Sequence, residues 1–284
     1  MRGPVSSKFG NIQLLPYRLS GRGLIGLLAA TLAVLPGAAT QAADQVGLAE
    51  VVKNTVMASQ SGQLGVADPV FAAEQISADA NSHGELKLND DSLVIVGENS
   101  SVSLDDFVVG GTQFQTATLK VVKGAFRFIT GNSPKNAFKI ETPLSTIGVR
   151  GTVFDVYVDE GTGATRVVLL HGAVRVCAFG GACIIADRTC DIVEVKAPDN
   201  IAKAGFLRGA GRSRAQERSL FALTEQQQRF QKKFRAATAT CGARAAQEAA
   251  EGRSNRNRAG NGAGDYDNSA PAIGESYDPN STPK

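Results

Sequence analysis

Between about residues 49 and 195 the chain is written as short alternating runs of apolar and polar residues, each ended by Gly, Asn, Asp or Ser. That alternation has the period of a strand, in which successive side chains point to opposite faces. Glu85-Leu86-Lys87-Leu88 alternates, Asn89-Asp90-Asp91-Ser92 supplies turn chemistry, and the run resumes over 93–96. Further strands are expected at 117–122, 125–129, 138–142, 153–158, 165–170, 173–178, 183–186 and 191–195. Strands recurring about every ten residues, with no helical period between them, predict an all-β fold: an antiparallel sandwich or roll, or a solenoid-like β domain. No βαβ unit appears, which argues against a nucleotide-binding sheet.

The run 147–156 combines two glycines with a clear alternation. Gly148 and Gly151, with Arg150 between them and Thr152 after, predict a specified structural turn, because glycine reaches backbone angles that other residues avoid. Beyond it, Phe154, Val156 and Val158 share one face, and Asp155, Tyr157 and Asp159 share the other. The segment holds no nucleophile–base pair and no metal-ligand spacing. Arg150 is the candidate partner-binding residue, since a guanidinium presents a fork to a carboxylate. The competing reading is a staple within its own turn, through backbone carbonyls or Asp155. Arg127 and Lys139 share the same ambiguity.

Other polar clusters read as structure. Asp90-Asp91 and Asp105-Asp106 raise the possibility of glycosidase carboxylates, but both pairs sit at turn positions, where Asp bonds its own backbone. Ser145 and Thr146 lack the G-x-S-x-G elbow of a serine hydrolase. His83 and His171 fall in a loop and before a turn glycine. No catalytic residue, metal site or cofactor is expected.

The N-terminal 1–42 has a basic segment with Lys8, Arg18 and Arg22, then an uncharged apolar run of roughly 13 residues, too short for the about 20 that span a bilayer. Small residues at Thr40 and Ala42 predict cleavage before Ala43, so 1–42 is expected to be a signal peptide and the mature chain periplasmic. Membrane association follows only if this segment stays uncleaved. In an exported chain the four cysteines, Cys177, Cys183, Cys190 and Cys241, read as two disulfides. Cys177 and Cys183 flank a plausible hairpin end and are natural partners, which leaves Cys190 for Cys241. Zinc is the rival reading, disfavoured by the wide spacing.

The net charge of +3 hides an asymmetry: −7 over 43–201 against +9 over 202–258. From about residue 212 the period changes. Leu220, Leu223, Gln227, Phe230 and Phe234 recur every three to four residues, predicting one amphipathic helix over about 213–238 that continues weakly to 250 and packs on its own domain. The expected organisation is a signal peptide (1–42), a β domain (43–201), a basic helical extension (202–251) and a disordered tail (252–284), whose composition cannot offset chain entropy.

Several segments together resemble the FecR family of bacterial periplasmic domains. They are Asp90-Asp91-Ser92-Leu93, Ser100-Ser101-Val102-Ser103-Leu104-Asp105-Asp106-Phe107, Leu119 with Lys123-Gly124-Ala125-Phe126-Arg127-Phe128, Ile140-Glu141-Thr142-Pro143, Gly148-Val149-Arg150-Gly151-Thr152 and Leu169-Leu170-His171-Gly172-Ala173-Val174. The similarity runs over roughly 46 to 196. It implies an all-β domain that binds or senses rather than catalyses. The best-known members are surface-signalling regulators, with a cytoplasmic segment gripping a sigma factor and a membrane-crossing helix. Here only some 22 residues precede the apolar run, too few for an anti-sigma domain. The expected function is therefore a non-enzymatic periplasmic module that binds or scaffolds an envelope protein or polysaccharide, with no nucleic-acid partner. The alternative is a sigma-factor regulator relaying an outer-membrane receptor signal.

Overall fold

A computed structural model describes residues 43–209 and 213–261. The signal-peptide expectation for 1–42 lies outside the described residues, as does the tail beyond 261. The strands are β1 (Gln45–Lys53), β2 (Val56–Ala58), β3 (Gly62–Gln63), β4 (Pro69–Phe71), β5 (Glu74–Ala78), β6 (His83–Leu88), β7 (Leu93–Val96) and β8 (Ser100–Gly110). They continue as β9 (Gln113–Ile129), β10 (Phe138–Glu141), β11 (Ser145–Val158), β12 (Thr165–Ala178), β13 (Cys183–Ala186), β14 (Asp191–Ala197) and β15 (Asn200–Phe206). The main path runs β15-β14-β12-β11-β10-β9-β7-β6-β1-β4 and does not close, with β8, β5, β2 and β3 branching from β9 and β13 from β12. The fold is all-β, as the alternation requires. One pairing departs from the antiparallel expectation: β10 lies parallel to β9, Phe138 opposite Ala117.

Three strands are longer than the sequence pattern suggests, because glycines expected to reverse the chain instead bend a continuing strand. The expected strands at 117–122 and 125–129 are one strand, β9, and those at 165–170 and 173–178 are one strand, β12. The Gly148–Thr152 segment, expected as a turn, lies inside β11. Each long strand changes neighbours at a glycine of positive φ. Before Gly124 (φ +80°), β9 lies between β8 and β10; after it, between β7 and β11. At Gly151 (φ +64°), β11 exchanges β10 for β9, and at Gly172 (φ +83°), β12 exchanges β14 for β13. One extra residue on β11 and one on β12 offset each other, so the register runs Arg150–Ala173, Val153–His171, Phe154–Leu169. Thr152 fixes the bulge, its N–H donating to Thr130 Oγ1 at 2.9 Å while its carbonyl accepts from Thr130 N at 3.0 Å.

These bends fold the sheet over one core. Phe126, Phe128, Phe154, Val156, Val167 and Leu169 come from one half, and Leu119, Phe138, Ile140, Ile147, Val149 and Val174 from the other. Phe128 meets Phe138 across the fold, ring centroids 4.8 Å apart. The bulge glycines differ in what they tolerate. A Cβ on Gly151 would meet nothing, whereas one on Gly172 would lie 2.3 Å from the Gly151 carbonyl oxygen. Gly151→Ala is expected to cost about 1–2 kcal/mol through its left-handed backbone alone. Gly172→Ala should cost clearly more, because two strands must separate; denaturant midpoints of the two variants measure the difference.

The predicted long helix is instead a broken strap. It begins with α1 (Arg214–Leu220), capped by Ser213, whose Oγ accepts from Gln216 N at 3.2 Å while Gln216 Oε1 accepts from Ser213 N at 2.9 Å. There follow α2 (Ala222–Glu225), single 3₁₀ turns at Gln227–Arg229 and Lys232–Phe234, and α3 (Ala239–Asn261). Helix therefore occupies the first part of the stretch expected to be disordered, up to 261. The strap lies on the outer face of β7, β9 and β11, packing Leu223, Phe230 and Phe234 on Leu93, Ile95 and Ala125. Each large apolar side chain so buried contributes about 1.5–3 kcal/mol. The breaks have a polar cause. The N–H of Gln231 donates to the Glu85 carboxylate at 3.1–3.2 Å, a donor that a continuous α-helix would commit to the Gln227 carbonyl.

Candidate functional site

The strap divides the outer surface of the sheet into a covered part and a bare part. On the covered part, Arg127 and Asp155 stand opposite each other on β9 and β11. Arg127 Nε and Nη2 donate to the two Asp155 oxygens at 2.6 and 2.7 Å, and Arg127 is 0 % exposed. The strap completes the cluster: Thr224 Oγ1 donates to Asp155 Oδ2 at 2.7 Å, and Phe234 O accepts from Arg127 Nη1 at 3.3 Å. Asp155 is thus taken by Arg127, which removes it as the partner proposed for Arg150. The face of Asp155 and Tyr157 is a second covered face, with Asp155 buried and Tyr157 half-buried. Sequence reasoning missed this pair; its trace is a charge flanked by apolar residues on both faces of both strands.

The bare part is formed by β10, the first half of β11, the second half of β12, and β13. Register places Lys139, Gly148, Arg175 and Ile185 in one row across the four strands. Arg150 follows Gly148 two residues along β11, on the same face. Together with Lys135 and Asn136 they line a shallow groove of about 740 Å³. Lys135, Arg150 and Arg175 are exposed and their side chains bond to no other described residue, while Lys139 meets Glu141 at 2.5 Å. Among the described residues no carboxylate lines the groove. Ile185, 56 % exposed, forms an apolar wall, and the Cys177–Cys183 disulfide closes the β12–β13 hairpin beside it.

The other candidates are structural in position. Asp90, buried, accepts from Ser92 N at 3.0 Å, Ser92 Oγ at 2.9 Å and Ser133 N at 3.3 Å. Asp91 bonds Lys87 at 2.7 Å, and that hydrogen bond holds its carboxyl below the usual carboxylate range. Asp105 pairs with Lys120, raising the lysine above its ordinary value. Asp106 is exposed. His83 packs edge-on against Phe230 with ring centroids 5.1 Å apart, and His171 is exposed at the β12 bulge. Cys190 joins Cys241 beneath the strap, where Arg244 Nη1 donates to Thr189 O at 2.9 Å and Asp191 Oδ1 at 2.8 Å. All four cysteines are thereby committed to disulfides, bonds that persist in oxidising compartments.

No curated protein matches the chain. Two crystal structures of a proposed anti-sigma factor from Parabacteroides distasonis, at 1.65 and 2.50 Å resolution, each share 17% identity with it at a TM-score of 0.38. The alignments cover 46% of this chain and 59% of that one, so the chain spans less than two thirds of its length. Residues 74–175 match the family described as FecR protein, a stretch running from β5 to the middle of β12 that contains the bulge, Arg150 and Arg175. On that match, residues 74–175 of this chain are similar to the FecR family over the strands from β5 to the middle of β12.

Proposed function

We propose that the protein is a non-enzymatic recognition module of the bacterial envelope, working in the periplasm after loss of its first 42 residues, and that its bare sheet face holds another envelope component. The observation that carries this is the display of Arg150 and Arg175, whose side chains have no partner among the described residues, on the uncovered half of the stretch that matches the FecR family. An unpaired guanidinium contributes little to the stability of its own fold, yet offers a strong charge-assisted contact to a partner. The disulfides support an oxidising compartment. Among the described residues no helix is long and apolar enough to cross a membrane.

The test is a pull-down from periplasm with wild type and Arg150→Ala. Thermal midpoint should not move, since the Arg150 side chain has no bonding partner among the described residues, and retention of the envelope component should fall. Equal retention by the two proteins would remove Arg150 from the interface. The mature N-terminal residue, expected to be Ala43, is read by mass spectrometry of the same preparation. A second reading, favoured by the FecR match, is a signalling regulator acting on a sigma factor through the membrane. It requires the intact N-terminus in the inner-membrane fraction.

A further inference from the structure

We infer that the groove over Gly148 docks an extended protein segment in which carboxylates alternate with apolar side chains; the inference rests on the recognition role proposed above. Glycine inside a strand weakens it, having no side chain to pack and more chain entropy to lose, and is usually explained by its backbone angle or a close neighbour. Gly151 and Gly172 have such reasons. Gly148 has neither: its φ lies outside the left-handed region, and a Cβ there would meet only Arg175 O, at 3.9 Å. A side chain at 148 would fit the fold and fill the space between its register neighbours, Lys139 and Arg175. What the glycine preserves is the slot itself.

The lining selects the occupant. Among the described residues, three cations whose side chains have no partner stand around the slot and no carboxylate does, so the occupant is anionic. The groove wall is largely apolar, with Ile185 exposed beside Arg175, so the occupant also carries apolar groups. Among the described residues, Asn136 is the only lining residue with a neutral hydrogen-bonding side chain. A polysaccharide presents many hydroxyls, and each one desolvated without a partner is costly. Single-stranded nucleic acid binds through stacking on exposed aromatic rings; the one aromatic residue of the lining, Phe138, is buried in the core. Carboxylates spaced by apolar residues meet both requirements, with the guanidinium forks of Arg150 and Arg175 taking the carboxylates.

The experiment uses the mature chain and a labelled short peptide of alternating glutamate and leucine, with polyglutamate and polygalacturonate as separate probes. Wild type should bind the Glu-Leu peptide at least about tenfold more tightly than either polyanion, a preference equal to about 1.4 kcal/mol. Gly148→Val should weaken peptide binding at least about tenfold while the thermal midpoint stays level or rises, valine being the better strand former. Arg150→Glu with Arg175→Glu should abolish binding. Unchanged binding by Gly148→Val, or equal binding of all three probes, overturns the inference, the latter marking a non-specific cationic face; tighter polygalacturonate binding assigns the groove to polysaccharide. If Arg150→Ala loses the periplasmic component but the Glu-Leu peptide does not compete for it, the recognition role stands and this occupant falls. If Arg150→Ala retains the component, the recognition role itself falls at this face.

Discussion

Asp155→Ala is expected to destabilise the domain by about 3–5 kcal/mol, the usual cost of removing one partner from a buried ion pair. The size follows from what is left behind. Arg127 is fully buried, and without Asp155 its guanidinium retains, among the described residues, only the Phe234 carbonyl, at 3.3 Å. Thr224 loses its acceptor at the same time, and it is 2 % exposed. The Coulombic attraction of the intact pair is offset by desolvation of both charges, so removing both is a different experiment from removing one. Arg127→Met with Asp155→Leu should recover most of the loss, because no buried charge remains. Urea unfolding of the single and double variants measures the two values, and a single-variant cost below about 1 kcal/mol, the range of surface pairs, would mean that water reaches the pair.

Replacing Cys190 and Cys241 together by alanine should cost about 4 kcal/mol, the chain-entropy value for a link between residues 51 apart. The same reasoning gives only about 2 kcal/mol for Cys177–Cys183, six residues apart. The larger loss should also be localised. The Cys190–Cys241 bond ties the strap to the sheet beside Phe206, Leu207 and Phe221, so amide exchange should rise over 213–241 more than in β9 or β11. Uniform acceleration of exchange would show that strap and sheet open only together. Loss of Cys177–Cys183 should leave the strap protected and loosen only the β12–β13 hairpin.

The alternation of Phe154, Val156 and Val158 was enough to specify strands, and the strand class of the domain was legible from it. Where the strands ended was not. Glycine at a chain reversal and glycine at a bulge have the same local signature, and what separates them at Gly124, Gly151 and Gly172 is the identity of neighbouring strands far away in sequence. The Leu/Phe stripe from Leu220 to Phe234 correctly marked a segment that packs on its own domain. Its helical period was overridden by Glu85 and Arg127, which take a backbone N–H and a carbonyl that a helix would use. Arg150 was legible as a candidate partner-binding cation, but in a turn rather than inside β11, and its companions were not legible. Lys135 and Arg175 join it only through pairings of β10, β11 and β12, and the slot at Gly148 depends on a φ that sequence does not reveal.

The strap is the last-made part of the described fold, and this sets an order of events for a chain delivered N-terminus first. β7, β9 and β11 can pair as soon as Val158 has arrived, yet the outer face they present, with Leu93, Ile95, Ala125 and the Arg127–Asp155 pair, stays uncovered until Phe234 follows. During that interval β12 and β14 complete the inner core while the outer apolar surface stays exposed, the kind of species that aggregates or recruits a chaperone. A chain truncated after Phe206 contains every strand of the sheet and still lacks its outer layer. Completion of this protein is a matter of timing as much as of contacts: its solubility waits on its C-terminal segment.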